Sequence, residues 1–132
     1  MRKRSKVFHL AIPCKDLDET VEFYENLGCQ LARRYDDRVT FNFFGEQVVC
    51  HLSPSHIDEK PQMYPRHFGI TFTDQSEFDL LYAFAKEKKL PFFQELKVRF
   101  SGKKEEHLTF FLVDPANNLL EFKYYHDIRM VY

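Results

Sequence analysis

Three side chains of this sequence, His9, His67 and Glu121, are of the types that hold a first-row metal ion. Two imidazoles and one carboxylate on one side of a metal form a facial triad, leaving about three of six positions for water, a chelating substrate or O2. Neutral imidazole with ionised carboxylate suits Fe, Mn, Ni or Zn, whereas soft Cu(I) is disfavoured. The three are far apart in the chain, unlike the ligands of a local motif such as HExxH. Only a fold that repeats itself brings them to equivalent places.

The chain does read as one pattern stated twice. A strand over residues 7–12 precedes a helix that starts at Asp16, runs through Tyr24 and Leu27 and ends at Gly28. Three β-rich runs follow, over 30–35, 39–44 and 47–52. In the second half a strand at 67–72 precedes a helix from Asp74 or Ser76 to Lys89, whose apolar stripe is Phe78, Leu81, Tyr82 and Ala85. Strands over 92–100, 107–113 and 119–125 follow. Both halves are βαβββ, with His9 and His67 at the same place in the same strand. Residues 53–65, with Pro54, Pro61 and Pro65, form the connector. The expected fold is α+β, with two βαβββ modules pairing into a curved mixed sheet around an enclosed metal site.

Strand alternation divides each strand into two faces. One face is continuously apolar: Phe8, Leu10 and Ile12; Phe68, Ile70 and Phe72; Leu120, Phe122 and Tyr124. These rows belong under the helices. The opposite face carries His9, His67 and Glu121, which places the three in one concavity of a single chain. If a two-residue turn at Gly45-Glu46 joins the middle strands, Val39, Phe41 and Phe43 pack under the helix and His51 joins the concave face. An odd-length turn presents Cys50 instead. Likewise Leu108, Phe110 and Leu112 go under the helix, leaving His107, Thr109 and Phe111 to the cavity.

Composition sets the limits. The chain has 132 residues, 44% hydrophobic and 30% charged, with 19 Lys+Arg against 20 Asp+Glu, six His and 15 Phe. This is the size of a single domain, 1–132, that needs no staple. Its near-neutral balance lacks the basic stripe of a nucleic-acid binder. The basic opening Met1-Arg2-Lys3-Arg4-Ser5-Lys6 has no apolar core behind it, which argues against export or membrane insertion. Cys14, Cys29 and Cys50 read as free thiols in a reducing cytoplasm.

Several stretches resemble the vicinal oxygen chelate superfamily of glyoxalase I, fosfomycin and bleomycin resistance proteins and extradiol dioxygenases. They are Phe8-His9-Leu10-Ala11-Ile12-Pro13 with Asp16-Leu17 after it, Phe23-Tyr24-Glu25-Asn26-Leu27-Gly28, Arg66-His67-Phe68-Gly69 and Asp114-Pro115-Ala116-Asn117-Asn118-Leu119-Leu120-Glu121-Phe122-Lys123. The chain is most similar to the small single-domain dioxygenases of extradiol type. That resemblance implies metal ligands at His9, His67 and Glu121, with Fe(II) first and Mn, Ni or Zn as alternatives. It also implies a catechol-like small-molecule substrate, O2 as co-substrate and a homodimer. His51 and His107 are candidates for acid/base chemistry, Tyr125 for a hydrogen bond into the site, and Arg99 for a substrate carboxylate. Phe44 and Phe111 are candidates for a flat apolar pocket. The competing expectations are a glyoxalase-type lyase or isomerase, a fosfomycin-resistance-type thiol transferase, and a non-catalytic drug binder. Glyoxalase I adds a fourth ligand, usually Glu, where this chain has Cys50 or His51.

Overall fold

Asp16 turns the chain out of the first strand, and its carboxylate accepts from the Glu19 amide at 2.9 Å, capping the first helix. Asp74 does the same for the second helix through the Ser76 amide at 3.0 Å. The computed structural model describes residues 5–132, and the basic stretch Met1-Arg2-Lys3-Arg4 lies outside the described residues. The elements of the first module are β1 (His9–Cys14), α1 (Leu17–Asn26), β2 (Gln30–Arg34), β3 (Arg38–Phe43) and β4 (Glu46–Leu52). The second module has β5 (Phe68–Phe72), α2 (Gln75–Glu87), β6 (Phe92–Arg99), β7 (His107–Val113) and β8 (Leu119–Tyr125).

Each module closes its own mixed four-stranded sheet, in the orders β1-β4-β3-β2 and β5-β8-β7-β6. The first strand of each pairs in parallel with the last, and the remaining pairs are antiparallel. This is the expected α+β layout of two βαβββ modules. Among the described residues no ladder joins β1 to β5, so the two sheets are separate hydrogen-bonded units.

The apolar rows occupy one face, as alternation requires. Val39, Phe41 and Phe43 are buried, as are Phe110, Leu112, Leu120 and Phe122. They meet the inner faces of both helices, Phe23 and Tyr24 from α1 and Phe78, Leu81 and Ala85 from α2, in one core. Each buried aromatic side chain contributes roughly 1.5–3 kcal/mol, which explains why so many Phe are needed in a chain without Trp. Phe43 packs on Phe68 at 5.4 Å, and the Tyr24 hydroxyl donates to Asp114 Oδ2 at 2.7 Å across the modules.

Two details differ from expectation. Phe8 precedes β1 and is exposed rather than core, and its amide donates to the Glu46 carboxylate. The β3–β4 turn is Phe44-Gly45, not Gly45-Glu46: both residues have positive φ, 52° and 93°, as a type I′ turn requires, so Phe43 pairs with Glu46. The register moves by two residues in the sum of paired numbers, so every side chain keeps its face. His51 stays on the polar face and Cys50 is fully buried.

Candidate metal centre

The polar face of the second sheet holds the densest group of candidate residues. His67 enters just before β5, and Glu121 sits on β8 with Gly69 and Phe111 as its cross-strand neighbours. At Gly69 a side chain is impossible: an added Cβ would lie 1.6 Å from the Glu121 carbonyl oxygen. The glycine lets β5 lie against β8 at the level of the carboxylate.

His67 Nδ1 lies 2.6 Å from the Met63 carbonyl oxygen. A carbonyl only accepts, so Nδ1 carries a proton, and in the neutral ring Nε2 is a bare lone pair. That nitrogen lies 3.1 Å from Glu121 Oε1. The other carboxylate oxygen, Oε2, accepts from the buried Thr109 hydroxyl at 2.7 Å. Two acceptors therefore face each other, and they repel unless a cation, proton or metal, is shared between them. Their separation matches the edge of an octahedron with bonds of roughly 2.1 Å. The chemistry and aim of these two donors fit a divalent metal, and the Met63 carbonyl and Thr109 hydroxyl are the outer partners such ligands take.

His9 stands apart. It opens β1 on the polar face of the first sheet, is exposed, and lies in a row with Gln47 and Asn42. Among the described residues no three His, Cys, Asp or Glu side chains gather within the chain. The structure thus brings together two of the three expected ligands. A cavity of about 320 Å³ separates β1 from β5, lined by Leu10, Ala11, Ile12, Arg66, His67 and Asn118 among others.

The remaining candidates divide the same way. Phe111 is beside the pair, its ring 5.2 Å from that of His67. His107 and Tyr125 are stacked at 4.5 Å two rows along the same face, and His107 Nδ1 donates to the Glu105 carbonyl at 2.9 Å, leaving Nε2 as an acceptor. Arg99 joins that row beside His107 and donates to the Tyr64 hydroxyl at 2.6 Å. His51 is exposed on the first sheet opposite Arg38, away from this group. Phe44 lies away from this group: its ring meets Phe72 and Phe122 on the helix side, where it lines a separate apolar pocket with Ile70, Leu81 and Phe84. Cys50 offers no ligand, because burial pushes its thiol far above the ordinary range.

Tyr64 was not legible beforehand. It lies in the aperiodic connector, yet its ring meets His67 edge-on at 5.7 Å while its hydroxyl reaches Arg99.

Comparison with known proteins follows the same lines. Residues 6–122 match the Glyoxalase/Bleomycin resistance protein/Dioxygenase superfamily. A crystal structure of a glyoxalase/bleomycin resistance protein/dioxygenase from Alicyclobacillus acidocaldarius is 61% identical, covers 100% of both chains and gives a TM-score of 0.95. A lactoylglutathione lyase from Agrobacterium tumefaciens shares the fold at TM-score 0.67 and 16% identity, covering 93% of this chain and 96% of its own. A genomically encoded fosfomycin resistance protein from Listeria monocytogenes does so at 0.68 and 17%, covering 99% and 100%. The glyoxalase domain-containing protein RDO1 of Mycosarcoma maydis is 26% identical over 124 residues, 92% of this chain and 69% of its own length. Members of this group typically use a divalent metal. The two-module fold and these matches agree, and the chain belongs to the glyoxalase/bleomycin resistance protein/dioxygenase superfamily.

Proposed function

We propose that this chain is a divalent-metal-dependent enzyme acting on a small molecule that chelates the metal, in the manner of an extradiol dioxygenase with Fe(II), a catechol-like substrate and O2. The observation that carries the reading is the opposed pair His67 Nε2 and Glu121 Oε1, two acceptors 3.1 Å apart and each anchored from behind. A metal held by them supplies Lewis acidity, making a chelating hydroxyl easier to deprotonate. His107, fixed in one tautomer by the Glu105 carbonyl, lies two strand steps, roughly 13 Å, from Glu121 and lines the far end of the same face. The Phe111 ring provides an apolar wall beside His67.

His9 supplies the third ligand from a second chain, across the interface of a homodimer that sets the polar face of one chain's first sheet against that of its partner's second sheet. Its exposure on an edge strand, outside the reach of the pair within one chain, supports this. The dioxygenase reading is preferred over the lyase and transferase readings because the position of the fourth glyoxalase ligand holds a buried Cys50 and an exposed His51, with no carboxylate.

The test is metal analysis of anaerobically purified protein, followed by O2 uptake with a panel of catechols. Stoichiometric iron with uptake for at least one catechol is expected. Bound Ni or Zn without uptake would move the assignment to the lyase or transferase class. His67→Ala should abolish metal binding, and stoichiometric metal in that variant would sink the site. Mixing unfolded His9→Ala and His67→Ala chains and refolding them together tests whether the site is shared between two chains. Random pairing leaves half the dimers mixed and one intact site in each, so about one quarter of wild-type metal binding returns. No recovery excludes a shared site.

A further inference from the structure

Basic and acidic residues balance over the whole chain, 19 against 20, but not on the polar face of the second sheet. There the register aligns Lys123 with Thr109 and Lys97, and Tyr125 with His107 and Arg99, while Glu121 stands in the next row with Phe111. Elsewhere cations find partners: Lys15 with Glu19, Arg34 with Asp18, Arg38 with Asp37, Lys86 with Glu95 and Arg129 with Asp127. Among the described residues the Lys and Arg side chains without such a partner are exposed, with two exceptions, Arg99 and Lys123, which are half-buried. A cation withdrawn from water without a counter-ion is costly, and its retention points to an anion that arrives from outside.

Both are held by neutral groups that orient the charge without cancelling it. Arg99 Nη1 donates to the Tyr64 hydroxyl at 2.6 Å, and Lys123 Nζ lies 3.4 Å from the Tyr125 hydroxyl. Tyr64 in turn touches His67, and Tyr125 stacks on His107. One step between same-face residues of a strand is about 7 Å, so Lys123 lies one step and the Arg99 row two steps from Glu121.

We propose that Arg99 and Lys123 form an anion subsite of the candidate metal centre. The substrate is then a small molecule bearing a carboxylate, phosphate or phosphonate roughly 7–13 Å from its chelating oxygens. The chelating end rests on the function proposed above; the anion subsite does not.

The test uses the full chain freed of metal with EDTA and titrated at low ionic strength, by calorimetry or amide NMR, with phenylphosphonate, benzoate and uncharged benzyl alcohol. At least one anion should bind at least tenfold more tightly than benzyl alcohol, and the preferred anion distinguishes a phosphonate from a carboxylate. Arg99→Gln and Lys123→Gln should each weaken that anion by about tenfold or more, while Arg99→Lys retains part of it. Lys60→Gln, which removes an exposed surface cation, should change it less than twofold. His67→Ala should lose metal yet keep anion binding within twofold, which separates failure of the metal reading from failure of this one. Equal binding by wild type and the Gln variants, equal weakening by Lys60→Gln, or loss of anion binding in metal-free His67→Ala would overturn the subsite.

Discussion

Replacing Tyr24 with Phe removes one buried hydroxyl and tests how the two modules are held together. That hydroxyl donates to Asp114 Oδ2 at 2.7 Å, and the same carboxylate accepts from Asn118 Nδ2 and from the Ala116 and Asn118 amides at 2.8–2.9 Å. Both partners are buried, Tyr24 completely. Burial raises the Asp114 pKa above its ordinary 3.8, against the pull of its donors, of which Tyr24 is one. A native pKa above the unfolded value means that this group's contribution to stability is fully present below the unfolded pKa and is lost as pH rises through the native one. Deleting the Tyr24 donor raises the native pKa further and makes that loss larger. The variant therefore costs about 1.5–3 kcal/mol at pH 7, where the bond is to a charged acceptor, and about 0.5–1.5 kcal/mol at acid pH, where Asp114 is protonated. At neutral pH this corresponds to a fall in Tm of roughly 5–10 °C. Urea unfolding of both proteins from pH 3 to 7.5, at one protein concentration, measures the difference. A penalty below about 0.5 kcal/mol at pH 7, or one that shrinks as pH rises, refutes the reasoning.

Thr109→Val keeps the shape of the side chain and leaves Glu121 Oε2 without its donor; Mn(II) affinity by EPR should fall about 10–100-fold, with Thr109→Ser close to wild type, and an affinity within twofold of wild type would remove the hydroxyl from the site's design. Burial pushes the Cys29 thiol up to about 12 and raises Cys14 and Cys50 as well. A disulfide reagent at pH 8 should therefore label native protein slowly and all three cysteines in urea; rapid labelling of Cys29 in the native state contradicts this burial.

The parity of the strands was legible because alternation is a property of the pleat and needs no knowledge of neighbours. It assigned Val39, Phe41, Phe43, Phe110 and Phe122 to the core and His67, Glu121, Thr109 and Phe111 to the opposite face, and it survived a displaced turn because the displacement preserved parity. Asp16 and Asp74 announced both helices, since capping is decided within one turn. The β3–β4 turn was placed one residue late because the left-handed conformation that Phe44 adopts there is unusual for a bulky residue.

By itself, then, the sequence determined the repeated modules, the two faces of each strand and the residue types able to bind a metal, all of which follow from local periodicity. Tertiary structure alone decided that His67 and Glu121 meet while His9 stays apart, because which sheets share a concavity depends on how modules dock. It also decided that Tyr64 reaches Arg99 and that, among the described residues, Arg99 and Lys123 have no ion-pair partner, since both depend on contacts between segments far apart in the chain.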